Sequence, residues 1–277
     1  MARSFVIANP QGEAIQGGSR RHWMAAPASP PRNDEGKGRE SSDISRRALL
    51  AGAAGGVLVL AGCRRGESVV DPRDYDAFFL WAGVRAPEWL GRARTVYLLA
   101  GEVRRADRGR FVPLRALPHV AGPEVWFVVR VERLDWEEGV TAAILQRLAQ
   151  WEAAGNRLAG LQIDFDAATH GLSGYARFLH DLRARLPRKW RLSITGLMDW
   201  SAGGDPQGLA ALAGAVDEIV VQTYQGRRTI PGYESYLRSL RRLGMAYRIA
   251  LVEGGQWSAP EGLEQDRHFK GYVVFLV

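Results

Sequence analysis

Residues Leu161–Asp166 read LQIDFD and follow Ala159-Gly160. Side chains alternate across a strand, so Leu161, Ile163 and Phe165 face one way while Gln162, Asp164 and Asp166 face the other. Strands of a parallel sheet covered on both faces read as nearly continuous apolar runs. Here one face carries an amide and two carboxylates, so something wet, or something to be bound, lies on that side.

Working outward, similar apolar runs recur. The strands expected are Tyr75–Trp81, Thr95–Gly101, Val125–Val131, Gly160–Asp166, Arg191–Leu197, Glu218–Thr223, Tyr247–Val252 and Gly271–Val277. Helical spacing fills several gaps between them. Val140, Ile144, Leu148 and Trp151 share one face of a helix over Val140–Ala154, and Leu172, Tyr175, Leu179, Leu182 and Leu186 one over Leu172–Leu186. Shorter helices are expected over Leu209–Ala213 and Tyr233–Leu243. Strands alternating with helices imply a parallel sheet with right-handed crossovers. Eight of them fit a compact, irregular (β/α)8 TIM-type barrel over residues 75–277. Residues 102–123 show no clean helix, and a clear final helix is lacking. An open doubly wound parallel sheet is the alternative.

The N-terminal part reads differently. Ser45-Arg46-Arg47-Ala48-Leu49-Leu50 is a paired-arginine signal, an apolar stretch follows, and Leu60-Ala61-Gly62-Cys63 closes it. This is the layout of an export signal, resembling a twin-arginine signal joined to a lipobox. Ala48–Gly62 is shorter than the roughly 20 residues needed to cross a bilayer. Cys63 is the only cysteine and is the expected site of lipid attachment. Residues 1–44 read as a disordered leader, with Met24 an alternative start, and 64–74 as a tether. Arg64 after the lipid Cys lacks the Asp associated with inner-membrane retention, so the expected place is the periplasmic side of the outer membrane. Residues 1–62 hold eight basic and five acidic residues, so the net charge of +7 falls to +4 from Cys63 onward. The arginines are scattered among acids, with no basic stripe of the kind that binds nucleic acid.

In a barrel, active sites gather where the strands end. That places Asp166 at the mouth, Asp164 one layer down and Gln162 deeper. A buried Asp164 needs a partner, and Arg130 on the third strand is the candidate. Gln222 and Tyr224 share a face at the end of the sixth strand. Glu132, Asp199 and Glu253 also fall at strand ends. So do Trp81, Trp136, Trp200 and Trp257, whose rings would suit the C–H faces of sugars. Paired carboxylates could act on a glycosidic bond, one as acid and one as stabiliser. No histidine cluster, phosphate loop or nucleophile elbow is present, so neither a metal nor another cofactor is expected.

Gly160–Asp166 resembles the fourth-strand signature of family 18 glycoside hydrolases, D-G-x-D-x-D-x-E, and Val221-Gln222-Thr223-Tyr224-Gln225 is similar to their sixth-strand M-x-Y-D. Asp164 and Tyr224 match. Ala159 and Gln162 replace the two earlier acids, Asp166 the catalytic Glu, and Gln225 the last Asp. A closer likeness, carried by LQIDFD, YARFLHDLRARLP and LSITGL, is to the family called domain of unknown function 3142. That likeness implies an exported lipoprotein with a barrel-like fold. Asp166 would reach about 1.5 Å less far than Glu. The last strand ends Val274-Phe275-Leu276-Val277, without the family 18 tryptophan. Both departures argue against substrate-assisted chitin hydrolysis.

The resulting expectation is a monomeric, envelope-anchored carbohydrate-active barrel that takes a polysaccharide or oligosaccharide and touches the membrane through its lipid alone. Glycoside-hydrolase-like cleavage would use Asp166 as acid and Asp164 as stabiliser. Tyr224, Gln222, Gln162, Trp81, Trp200, Trp257 and Glu253 would bind substrate. The alternative is a polysaccharide-binding or assembly lipoprotein without catalysis.

Overall fold

The computed structural model describes Phe5–Val6 and residues 68–277, except 168–170, 199, 201–204 and 241–243. Phe5–Val6 of the leader pairs antiparallel with His119–Val120; the rest of the leader, the arginine pair, Cys63 and Asp199 lie outside the described residues. Eight strands form the barrel: β1 (Ala77–Leu80), β2 (Thr95–Val103), β3 (Glu124–Val131), β4 (Arg157–Asp164), β5 (Arg191–Leu197), β6 (Glu218–Gln222), β7 (Tyr247–Val252) and β8 (Phe269–Phe275). All neighbours are parallel, and the ring closes where Val274 and Phe275 of β8 pair with Phe78 and Phe79 of β1. Closure excludes the open doubly wound sheet. The residues expected as strands agree with those observed to within a few positions. β8 starts two residues earlier than expected, where Gly271 takes a positive φ of 95° beside a register shift between Tyr247 and Ile249.

Helices cover the middle of the ring: α1 (Glu138–Ala153), α2 (Leu172–Arg185), α3 (Pro206–Ala215) and α4 (Tyr233–Leu240). Val140, Ile144, Leu148 and Trp151 are the buried stripe of α1, as their spacing requires. Asp205 caps α3 by accepting from the Gly208 amide at 2.8 Å, ahead of Pro206 in the first turn. Leu186 leaves α2 in extended conformation before Pro187. Residues 104–123 are irregular, as expected. Val112–Pro113 folds back antiparallel onto Gly101 and Glu102 of β2. Ser68–Val69, expected as tether, pairs antiparallel with Gln256–Trp257, and Val70 beside it is buried. The tether reading therefore fails from Ser68 onward, because backbone pairing joins this stretch to the barrel.

Two apolar layers result. One lies between strands and helices and includes Leu161, Ile163, Leu179, Ile194 and Ile219. The other fills the barrel: Phe79, Tyr97, Leu99, Trp126, Val128, Val220, Ala250 and Val273. The inward face of LQIDFD thus looks into the barrel. An extra residue, Ala159, enters β4 where the register against β3 shifts. A Cβ on the next residue, Gly160, would meet the Arg191 carbonyl oxygen at 1.9 Å, which explains the glycine.

Low in the barrel, Glu218 is buried. It accepts from the Tyr97 hydroxyl at 2.6 Å and from Arg248 Nε at 3.0 Å. Phe79, Tyr97 and Trp126 stack in sequence above and beside it, and the Arg191 guanidinium lies 4.8 Å from the Trp126 ring centre. Removing one partner of a buried ion pair leaves the other uncompensated, so Glu218→Ala is expected to cost about 3–5 kcal/mol. Tyr97→Phe, which removes one hydrogen bond, should cost about 1–2 kcal/mol. Urea unfolding measures both, and a loss below about 1 kcal/mol for Glu218→Ala would show that the pair is dispensable.

Candidate functional site

Arg130 and Asp164 are register partners on β3 and β4, both turned inward near the C-terminal end of the barrel. Arg130 Nη1 lies 3.1 Å from Asp164 Oδ2, and its Nη2 donates to Asp166 Oδ2 at 2.6 Å. One guanidinium therefore holds both aspartates of LQIDFD. The other oxygen of Asp164, Oδ1, accepts from the Thr195 hydroxyl of β5 at 2.8 Å. Asp164 is buried, whereas the Asp166 side chain, two residues past the strand, keeps 37% of its exposure. The order from mouth to interior is Asp166, Asp164, Gln162.

Burial raises the Asp164 carboxyl above its ordinary value, against the charge of Arg130 and the bond from Thr195, and the charge of Asp166 adds to the rise. Burial works against the Arg130 charge, but Asp164 and Asp166 more than offset it, and its pKa is raised. Tyr224 follows β6. Burial pushes its phenol up, and the charges of Asp164 and Asp166 push it further, so the ring shares their surroundings. Phe275, the last residue of β8, lies 5.4 Å from Tyr224 and 6.0 Å from Trp81, ring centre to ring centre. Trp81 is half-buried and stacks at 6.2 Å on Phe79. An aromatic arc thus runs from Tyr224 through Phe275 to Trp81, beginning near the two aspartates.

Other expected site residues lie elsewhere. Gln162 is fully buried and donates to the Ser193 hydroxyl at 3.0 Å, so it belongs to the interior below the mouth. Its Oε1 has no partner among the described residues. Trp200 is buried between barrel and helices and donates to the Ala167 carbonyl at 2.9 Å. Trp257 is buried in the same outer layer, stacked at 4.6 Å on Tyr233. Both follow strand ends where alternation has lapsed, and both turn away from the mouth. Trp136 donates to the Thr141 hydroxyl and meets Phe178 of α2, again outside the barrel. Glu253 accepts from the Val277 amide at 3.0 Å and Glu132 from the Arg105 amide at 2.7 Å, so both hold local chain. Gln222 donates to the Tyr224 carbonyl at 2.8 Å and braces the turn that presents Tyr224.

Thr195 and Phe275 belong to the site although the sequence reading did not select them. Alternation along RLSITGL and FKGYVVF puts Ser193 and Thr195, and Val273 and Phe275, on the inward face, so the signal was present. Among the described residues no three His, Cys, Asp or Glu side chains converge as a metal would need.

The fold and site define a closed parallel barrel whose mouth holds two aspartates on one arginine. Residues 125–233, which include both motifs quoted above, match the model of the family described as Domain of unknown function (DUF3142). No curated protein matches. Solved structures of similar fold include the spore cortex-lytic enzyme SleL of Bacillus cereus, at 15% identity and TM-score 0.40, covering 68% of this chain and 51% of that one. A chitinase from Bacteroides thetaiotaomicron is 9% identical with TM-score 0.44, covering 64% and 67%. The chitinase domain of the spore coat protein CotE from Clostridium difficile is 12% identical with TM-score 0.40, covering 71% and 68%. The chain thus spans about half of the first structure and about two thirds of the other two.

The shared guanidinium makes a testable energetic statement. A carboxyl raised by burial keeps its proton to higher pH in the folded than in the unfolded chain, so stability falls as pH rises from the ordinary carboxylate value through the folded one. Arg130→Met removes the cation that opposes this. It is expected to cost about 3–5 kcal/mol at neutral pH, with the loss shrinking toward about pH 4 as Asp164 takes up its proton. Adding Asp164→Asn should flatten that pH dependence. Urea unfolding across this range is the measurement, and a pH-independent loss would contradict the assignment.

Proposed function

We propose that the barrel is a carbohydrate-binding protein of the cell envelope, tethered through lipid on Cys63, whose mouth seats a sugar between the aromatic arc and Asp166. The observation that carries this reading is the Asp164–Arg130–Asp166 arrangement beside Tyr224, Phe275 and Trp81. Aromatic faces take the C–H face of a sugar ring, while charged acceptors and donors fixed beside them take its hydroxyls. Asp164, with both oxygens engaged, orients Arg130. Asp166, more exposed, is the carboxylate that meets ligand. The motif likeness of Asp164 and Tyr224 to family 18 glycoside hydrolases supports a sugar as that ligand, and so does the placement of both residues at the mouth.

The second reading is hydrolysis, with Asp166 as acid and Asp164 as stabiliser. It is favoured by two carboxylates sharing one mouth. Against it, Asp166 Oδ2 is taken up by Arg130 at 2.6 Å, which leaves one oxygen to present a proton to the leaving oxygen as a general acid must.

Titration with chito-, cello- and xylo-oligosaccharides, with product release followed in parallel, separates the two. Binding without cleavage is expected, weakened about tenfold or more by Trp81→Ala, since loss of ring stacking costs on the order of 1 kcal/mol and lost apolar contact adds to it. Cleavage that vanishes in Asp166→Asn would establish the hydrolase instead. No affinity for any glycan would retire the carbohydrate reading.

A further inference from the structure

Arg115 lies in the irregular stretch after β2 and is half-buried. Its Nη2 donates to the carbonyl oxygens of Trp81 at 2.9 Å and Leu80 at 3.5 Å, and its Nε to that of Leu99 at 3.3 Å. These carbonyls sit at the end of β1 and beside the register shift in β2, where ladder bonds run out. The guanidinium thereby binds two strand ends together. Among the described residues it has no carboxylate partner and its Nη1 makes no bond. Its neighbour Leu114 packs into the interior layer with Trp81, Tyr224 and Phe275, which places Arg115 at the Trp81 end of the aromatic arc. Burial pushes its guanidinium down, with nothing to offset it.

The mouth therefore carries charge in two places. By strand order, Asp164 and Asp166 follow from β4, held by Arg130 of β3, and Arg115 clasps the ends of β1 and β2 on the other side of β3. A ligand lying along the arc from Tyr224 to Trp81 meets carboxylates at one end and an uncompensated cation at the other. A half-buried guanidinium held only by carbonyl dipoles is completed by an anion, and planar carboxylates suit its geometry. We propose that the sugar bound at this mouth is acidic, a uronic acid or another carboxylate-bearing residue, and that Arg115 receives its carboxylate. This rests on the carbohydrate reading above and adds the substrate class.

The test compares trigalacturonate and trimannuronate with their methyl esters, which keep the sugar and remove the charge. The wild-type chain is expected to bind at least one acid tighter than its ester by about tenfold to a hundredfold, the range for a hydrogen bond to a charged group. That gap should shrink at high salt, disappear in Arg115→Gln and survive in part in Arg115→Lys. Thermal melting of each variant reports whether losing the carbonyl contacts has unfolded it. Where Arg115→Gln does not fold, the wild-type acid-to-ester ratio and its salt dependence decide alone. Equal binding of acid and ester, or binding of neutral oligosaccharides only, overturns the acidic-sugar assignment and leaves the carbohydrate reading standing. Failure of every glycan, acidic or neutral, overturns both.

Discussion

A charge inside a barrel has little water to solvate it, so every inward carboxylate must find a cation or carry the cost of its own burial. The interior meets this requirement twice. Low in the barrel, Glu218 lies between Arg248 and the Tyr97 hydroxyl. At the mouth, Arg130 spans Asp164 and Asp166. Between them the interior is apolar apart from Gln162 and Ser193, which bond to one another. The two charged layers frame the packed interior, and the upper one also faces outward.

That outward face gives the aspartates different work. Asp164 accepts from Thr195 while paired with Arg130, so its geometry is set on both oxygens. Asp166 has left the strand and is tied down by one bond. An arginine fixed by a buried carboxylate and shared with an exposed one makes a rigid polar surface beside an aromatic wall. Preorganised polar groups next to a stacking surface favour recognition.

The alternation in LQIDFD was enough to locate the polar interior, and continuous runs such as Thr95–Gly101 and Arg191–Leu197 marked strands to within a residue or two. Closure was not legible, because it depends on Val274 meeting Phe78 from the far end of the chain. Arg130 was found as the partner of Asp164, since both end inward-facing strands. Its second bond to Asp166 depends on the turn after β4, where no periodicity applies. The tryptophans divide on the same ground. Trp81 continues the inward alternation of Ala77 and Phe79, whereas Trp200 and Trp257 follow turns that rotate them into the outer layer. Arg115 lies in a segment with neither helical nor strand pattern, and only folding shows which carbonyls it reaches.

The most direct measurement is a crystal structure of the chain grown with the oligosaccharide that binds it best. The account predicts a sugar ring against Trp81 and Phe275, a hydroxyl on Asp166, and Arg130 still bridging the two aspartates. A sugar seated on the outer helices beside Trp136 and Phe178 would contradict it. So would an Asp166 swung off Arg130 and onto the glycosidic oxygen.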